Sequence, residues 1–540
     1  MNIKAKNWMI PLIVTTLFGL QSEVVAAGER ESLEEVRATT MSLIELLVQE
    51  GVLSKEKAQI LLQQAQQAKL KAKNEADALA ADNTQLPEKA VGQPKSIRVQ
   101  YIPEHVKNEM RAEIEQDVMK KLNYKTEERL GLPEWIDRIE WTGALRLRYQ
   151  QDMFSDTNAI PGTLNNEVQN MVVNNSTEDR QRQRVRALFG ANIHINEWLN
   201  GGIRFTTGML QTPVTPNQTE GFSQGKFVFG LDRAFLEAKP YDWLTLTGGR
   251  FANPFFTGNQ TFGTDLIWDP DLAFDGFSAQ ANPNINKSWK LFSTVGAFPI
   301  EEVESSNTNK ARDKWLYAAQ GGIEWTSSNE SKVKLGVAYY DFKNVEGERN
   351  PVNDSLKYAG TVALWRQKGN QTFSINDGTT NGNLCGSNGL CGLASQFQLI
   401  NFTGEVDLAV FDPVHVILHG AYVQNIGFDQ NEISRRTGNI YKKENEGYEL
   451  SMMVGQPIIK KLHDWQVFGG YRRLEADAML DGFTDSNFRL GGTDAKGFYV
   501  GAQYGVGKNA WLSSRYVSAD EISGLPFSID TFFVDFNGRF

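Results

Sequence analysis

The sequence predicts an all-β transmembrane barrel, antiparallel, of about sixteen strands (16–18), with an N-terminal α-helical or coiled-coil extension in the periplasm. Two observations lead to this prediction. From Ile139 to Phe540, apolar and polar residues alternate with a period of two, and short connectors alternate with long polar ones. A soluble sandwich or propeller can alternate in the same way and is the competing interpretation.

Residues 1–27 are typical of a secretory signal peptide. Two lysines precede an apolar run from Trp8 to Leu20, and small residues follow as far as Ala27. A single anchor helix is the alternative, but the run is shorter than the span of about 20 residues that a membrane helix needs. The mature chain is therefore predicted to leave the cytoplasm.

Three segments separate the signal peptide from the barrel. Residues 28–75 and 99–136 carry apolar residues at helical spacing and are predicted to form periplasmic helices. Residues 76–98 hold few large apolar residues and are predicted to be a flexible linker. The narrow apolar stripe of the last helix fits either a coiled coil or a solvated helix lying on another. The barrel itself is predicted to occupy residues 137–540.

The alternation is clear in IEWTGALRLRYQ, where Leu145 and Leu147 share one face and Arg146 and Arg148 share the other. About sixteen segments have the length of a tilted membrane strand, about 9–11 residues. Because lipid offers no hydrogen bonds, such a sheet must close, with one face towards lipid and one towards a lumen. Most inward positions are Arg, Thr, Gln, Asn, Glu, Gly or Ala, which favours an open, water-filled channel.

Aromatic residues mark the predicted membrane interface. Six tryptophans flank short turns, where an amphipathic ring fits the headgroup level. They are Trp198, Trp243, Trp289, Trp325, Trp465 and Trp511. The chain ends in TFFVDFNGRF, whose apolar face includes Phe536 and Phe540. This ending resembles the signal that the outer-membrane assembly machinery reads.

Charged residues on the predicted inward face form the main candidate site. The arginines are Arg146, Arg148, Arg182, Arg184, Arg186, Arg204, Arg233, Arg472 and Arg515, and the acids are Glu237, Glu405 and Asp407. An arginine ladder along a lumen lowers the barrier for anions, because guanidinium groups stay charged and offer several donors. The acids would either create a transverse field or neutralise the ladder. Anion preference and a general pore with paired wall residues are both open interpretations.

Two loops are singled out. Residues 251–271, which lie between the fifth and sixth predicted strands and contain Gly and Pro, are predicted to fold inward as a constriction. The longest connector, from about Asn344 to Ser395, carries Cys385 and Cys391. Outside the cytoplasm such a pair is predicted to form a disulfide, with two unpaired thiols as the alternative.

Several stretches resemble the putative porin family of Gram-negative outer membranes. They include GLPEWIDRIEWTGALRLRYQ, LDRAFLEAKPYDWLTLTGGRFANPFF and the more specific LDGFTDSNFRLGGTDAKGF, and the resemblance covers residues 97–540. It implies a channel for the passive diffusion of small hydrophilic solutes, a homotrimer embedded in outer-membrane lipid, and no assigned substrate.

Other functions find little support. We see no G-x-S-x-G or phosphate-loop motif, and the two closest histidines, His415 and His419, are about 13 Å apart on a strand. We therefore expect no enzyme, cofactor, metal or nucleic-acid partner. The competing function is a structural or adhesive barrel, tethered by its helical extension to the periplasm, where peptidoglycan is a candidate partner.

Overall fold

The computed structural model of the protein describes residues 134–167, 173–258, 265–376, 390–438, 440 and 442–540. The predicted signal peptide, linker and periplasmic helices lie outside the described residues, apart from a short 3₁₀ turn, Glu134–Arg138, just before the first strand. Among the residues that the structure describes, no helix has both the length and the apolar character needed to cross a membrane.

Sixteen antiparallel strands form a closed barrel, which confirms the predicted strand number. The wall strands are β1 (Ile139–Phe154), β2 (Arg180–His194), β3 (Leu199–Thr207), β5 (Phe229–Tyr241), β6 (Leu244–Ala252), β7 (Ala273–Ala281), β8 (Trp289–Glu301), β9 (Lys314–Thr326), β10 (Lys332–Lys343), β13 (Phe397–Phe411), β14 (Val414–Asn425), β15 (Glu446–Gly455), β16 (Trp465–Leu474), β17 (Ala495–Gly507), β18 (Ala510–Glu521) and β19 (Ile529–Arg539). Shorter elements are β4 (Gln218–Thr219), β11 (Thr372–Ser374), β12 (Cys391–Leu393), α1 (Pro161–Glu167) and α2 (Gln430–Thr437).

The barrel closes through β1, which pairs with β2 on one side and with β19 on the other. Leu147, for example, lies opposite Val185 of β2 and Phe536 of β19. Closure pairs the strands all round the wall, which a sheet in lipid requires because an open edge would leave backbone groups without partners. The connections are short at one end, as at 242–243, and long at the other, as at 344–396.

The faces of the strands follow the alternation in the sequence. On β1, Leu145 and Leu147 are more than half exposed, whereas Arg148 and Gln150 are buried inside the barrel. On β19 the predicted lipid face is also the exposed one, and Phe533 on the opposite parity is buried. In a membrane the exposed apolar face meets lipid, and the inner face carries the polar groups.

Five of the six tryptophans predicted beside short turns are exposed on the outside of the barrel. The prediction is wrong for Trp511, which shares the inward parity of Arg515 on β18 and lines a cavity inside the barrel. Trp198, Trp243 and Trp289 are exposed beside turns at the same end of the barrel. The Trp243 ring stacks on Tyr241 at 5.6 Å between centroids, next to the turn at 242–243. Such rings fit the boundary between lipid tails and headgroups.

The terminal residue, Phe540, completes the closure. Its backbone exchanges two hydrogen bonds of 3.0 Å with Gly143 of β1. Its ring lies so close over Gly143 that a Cβ atom there would meet the ring at 2.2 Å. The glycine in β1 and the aromatic at the end of the chain therefore fit each other.

We expect Gly143→Ala to weaken barrel closure, because the new methyl group displaces the Phe540 ring at a cost of about 1–3 kcal/mol. The measurement is the temperature at which the folded barrel loses its compact mobility on SDS gels. Gly538→Ala is the matched control, since nothing lies within 4 Å of the added Cβ. Equal transitions in both variants would contradict the proposed fit.

Candidate pore and its arginine-lined wall

The described parts of the loop that joins β6 to β7, residues 253–258 and 265–272, fold into the barrel and contact β9 and, on the far wall, β16. The Phe256 backbone is held by the Gln320 side chain of β9, through hydrogen bonds of 2.7 and 2.8 Å. Near its other end, the carbonyl oxygens of Asp265 and Leu266 accept hydrogen bonds of 2.9 Å from Arg472 of β16. The stretch predicted as a constriction therefore lies across the lumen.

Apolar side chains anchor this loop to one side of the barrel. Trp268 is 1% exposed, and its ring packs against Phe274 at 5.0 Å and Tyr340 at 5.3 Å between centroids. The surrounding cluster takes inward residues from the walls around β6–β10, including Phe298 and Phe342. The expectation of a mostly polar inner face is therefore wrong on this side of the barrel, because a loop that folds inward needs an apolar surface to pack on.

A second inward loop, residues 475–494, contains most of the LDGFTDSNFRLGGTDAKGF motif. Asp481 forms a 2.5 Å ion pair with Arg366 from the long loop 344–396. The Lys368 ammonium group donates to the carbonyl oxygens of Arg489 and Gly491, at 2.6 and 2.7 Å. The motif thus joins two loops at the long-loop end of the barrel.

Glycine is required where these loops touch. Gly491 and Gly492 have φ angles of 93° and 95°, which side chains rarely adopt. A Cβ atom on Gly492 would also lie 2.0 Å from the carbonyl oxygen of Lys368. The paired glycines in the motif therefore serve loop packing.

Burial raises the pKa of Asp477 in this loop to about 8, against the opposing effects of the Gln371 backbone N–H and of Arg366, while Asp481 and Glu444 raise it further. The hydrogen bond from Gln371 N–H to Asp477 Oδ1 is 3.0 Å. In the folded protein Asp477 keeps its proton up to about pH 8. In the unfolded chain, where the pKa of this carboxyl is near 3.8, the proton is lost at a much lower pH. The loop packing is therefore most stable at acidic pH and loses stability as the pH rises through the folded pKa.

We expect Asp477→Asn to remove this pH dependence, because the amide keeps the acceptor oxygen and carries no charge. The measurement is hydrogen exchange at the Gln371 amide from about pH 4 to 9, corrected for the intrinsic rate. The native protein should lose protection over this range and the variant should not. An identical loss in the variant would contradict the assignment.

The opposite side of the lumen carries the arginine ladder, which consists of Arg146 and Arg148 of β1 and Arg182, Arg184 and Arg186 of β2. In the register of β1 and β2, Arg146 lies opposite Arg186 and Arg148 opposite Arg184. Like charges placed directly opposite each other destabilise a sheet unless something compensates them. The net charge that this wall presents to solutes therefore depends on the partners of each guanidinium group.

Three ladder arginines have carboxylate partners. Arg148 binds Asp535 of β19 through two hydrogen bonds of 2.7 and 2.8 Å. Arg182 binds Asp152 at 2.5 Å. The remaining one, Arg186, binds Asp271 of loop 253–272 at 3.2 Å. None of these acids was among the predicted site residues, although Asp152 and Asp535 have the inward parity of their strands.

The other two ladder arginines converge on a neutral residue. Arg146 donates to the Asn217 side-chain oxygen at 2.6 Å, and Arg184 to the Asn217 carbonyl oxygen at 3.2 Å. Arg184 also donates to Gln150 at 3.2 Å. Among the described residues, neither arginine has an ion pair with a carboxylate.

The remaining predicted arginines lie elsewhere on the inner wall. Arg204 and Arg233 both lie near the Asp232 carboxylate. Arg472, predicted to line the pore, is instead buried against loop 253–272, where it holds the loop backbone. Arg515 faces the Phe533 ring, with 4.8 Å from Cζ to the centroid.

The predicted acids are found near the short-turn end, away from the ladder. Glu237 pairs with Lys239 at 2.7 Å, and Asp407 lies 2.6 Å from His415. Glu405 lies opposite Lys334 in the register of β10 and β13. The carboxylates that pair with the ladder are instead Asp152 of β1, Asp535 of β19 and Asp271 of loop 253–272.

A cavity of about 400 Å³ adjoins the ladder. Its charged lining consists of Arg146, Arg148, Arg186, Arg515, Arg539, Asp271 and Asp535. These side chains carry an excess of three positive charges. The cavity beside the ladder is thus electropositive.

The cysteine prediction remains a prediction. Cys391 is buried at the start of β12, and Cys385 lies outside the described residues. Within the described ranges, no group of three or more His, Cys, Asp or Glu side chains is arranged to hold a metal ion.

Comparison with known proteins identifies the chain. The sequence profile of the family described as "Putative porin" matches residues 37–540. The protein belongs to this family. The predicted resemblance is confirmed, and membership of this family supports the prediction of an outer-membrane porin channel.

Comparison with solved structures finds similar chains at low sequence identity. The outer membrane channel DcaP of Acinetobacter baumannii is 11% identical over 74% of this chain and 97% of its own, with a TM-score of 0.39. Pseudomonas putida OprB is 12% identical over 75% and 96%, with a TM-score of 0.40. OmpT of Vibrio cholerae, in a loop-deletion form, is 12% identical over 74% and 99%, with a TM-score of 0.36. No curated protein sequence matches the chain.

Proposed function

We propose that this porin mediates passive diffusion of small hydrophilic solutes and ions and prefers anions. The observation that carries the proposal is the arginine ladder on β1 and β2, in which Arg146 and Arg184 lack a carboxylate partner among the described residues. The cavity that Arg146 lines has an excess of positive charge. A fixed positive wall raises the local concentration of anions and lowers that of cations.

The setting of the channel forms part of the proposal. We propose that the barrel lies in outer-membrane lipid as a homotrimer. The assembly machinery would insert it by recognising the C-terminal segment that carries Phe536 and Phe540. The N-terminal extension is placed in the periplasm, where peptidoglycan is a candidate contact. The exposed aromatic residues near the short turns support the orientation in lipid.

Liposome swelling tests the proposed permeability. Purified protein in liposomes should admit a small sugar, and should admit a small carboxylate faster than an amine of similar size. Equal rates for the carboxylate and the amine would contradict the anion preference but would still support the porin function. Rates equal to those of protein-free liposomes would contradict the porin function itself.

A structural or adhesive barrel is the second candidate function. It is favoured by the apolar cluster around Trp268, which fills part of the lumen, and by the packing of loops 344–396 and 475–494 on each other. A folded barrel that shows no conductance in a bilayer would favour this function.

A further inference from the structure

Asn217 is placed against the ladder by a short strand. In β4, Thr219 lies opposite Arg184 and Gln218 opposite Val185. The loop 208–228 therefore returns to the half of β2 that lies at the long-loop end of the barrel. Asn217 directly precedes β4 and is 7% exposed. The loop therefore inserts an amide side chain where Arg146 and Arg184 converge.

The amide satisfies these arginines only in part. Among the described residues, the Nε atoms of Arg146 and Arg184 are buried and have no hydrogen-bond acceptor. A carboxylate or phosphate accepts two parallel hydrogen bonds from a guanidinium group and also neutralises its charge, whereas the Asn217 side-chain oxygen accepts one bond and carries no charge. A carboxylate or phosphate is thus a better partner for this pair than the Asn217 amide.

One member of the pair, Arg146, is also within reach of solutes. Arg146 lines the 400 Å³ cavity, together with its cross-strand neighbour Arg186. An anion that enters the cavity meets Arg186 already paired with Asp271. Arg146 offers a guanidinium group that has no carboxylate partner to displace among the described residues.

We infer that the Asn217 amide is a displaceable occupant of an oxyanion subsite. A carboxylate or phosphate group of a solute takes the place of Asn217 Oδ1 on Arg146 and bridges to Arg184. Occupancy of the subsite is then coupled to the position of loop 208–228. The inference rests on the proposed porin function and identifies the solute class as oxyanions.

A second asparagine provides the matched control. Asn487, from loop 475–494, accepts a 2.9 Å hydrogen bond from Arg148. Arg148 already has a two-hydrogen-bond partner in Asp535. Loss of the Asn487 amide should therefore leave oxyanion binding unchanged, although both residues are loop asparagines on ladder arginines.

The experiment is a titration with inorganic phosphate of the chloride current through single channels in a planar bilayer. We expect a saturable block in the native protein. Asn217→Asp, which supplies a permanent internal carboxylate, should raise the half-blocking concentration about tenfold or more. Asn217→Ala should lower it, and Asn487→Ala should leave it unchanged within about twofold.

The outcomes separate the inference from the proposed function. A conducting channel without saturable phosphate block, or an Asn217→Asp variant with the native half-blocking concentration, overturns the subsite and leaves the porin intact. Absence of any current from folded protein overturns the porin and the subsite with it. Hydrogen exchange at residues 218–219 provides a second readout, since phosphate should speed it in the native protein and not in Asn217→Asp.

Discussion

Replacing Trp268 by alanine is expected to widen the channel and destabilise the barrel. Removal of the indole leaves a cavity in the cluster that holds loop 253–272, and substitutions of this kind cost about 3–5 kcal/mol. The ring contacts with Phe274 and Tyr340 are lost with it. The loosened loop should leave the lumen part of the time, so single-channel conductance should rise about twofold or more, with greater open-channel noise.

Two controls separate loop anchoring from a general loss of aromatic surface. Trp268→Phe keeps a ring in the cluster and should retain most of the native conductance. Phe277→Ala removes a ring that is 73% exposed on the outside of β7 and should leave conductance unchanged. Native conductance in Trp268→Ala would contradict the role of this loop as the constriction.

Replacing Arg182, Arg184 and Arg186 together by glutamine is expected to abolish the anion preference. A unit charge about 7 Å from an ion in water changes its energy by about 0.6 kcal/mol. Loss of three such charges should lower the ratio of anion to cation permeability about fivefold or more. The shift is increased because Asp152 and Asp271 lose their guanidinium partners.

The matched control is the triple lysine variant, which keeps the charge and loses the planar fork of donors. Its reversal potential in a salt gradient should stay close to the native value. If the triple glutamine variant kept the native ion selectivity, the ladder would have no part in selectivity.

The sequence predicts the wall of the barrel better than its interior. Strand number and the exposure of Leu145 and Leu147 follow from a period of two, because lipid imposes the same rule on every strand. The periodicity is ambiguous on β10, where Leu335 and Tyr339 are exposed and Tyr340 is buried. Both faces of such a strand are apolar, so alternation alone does not reveal the inward cluster.

The partners of the ladder show a second limit. Arg148 and Asp535 are separated by 387 residues in sequence, and they meet only because β1 and β19 close the barrel. Asp271 and Asn217 reach the ladder through loops whose path no periodicity describes. The arginines were therefore predictable as a group, while the pairing that leaves two of them without a carboxylate was not.

The most direct test of the proposed function is the reversal potential of the purified native protein in a planar bilayer across a steep potassium chloride gradient. The excess of arginine in the lumen predicts a steady conductance whose reversal potential lies towards the equilibrium potential of chloride. A reversal potential towards that of potassium, or a folded barrel that passes no current, would contradict it.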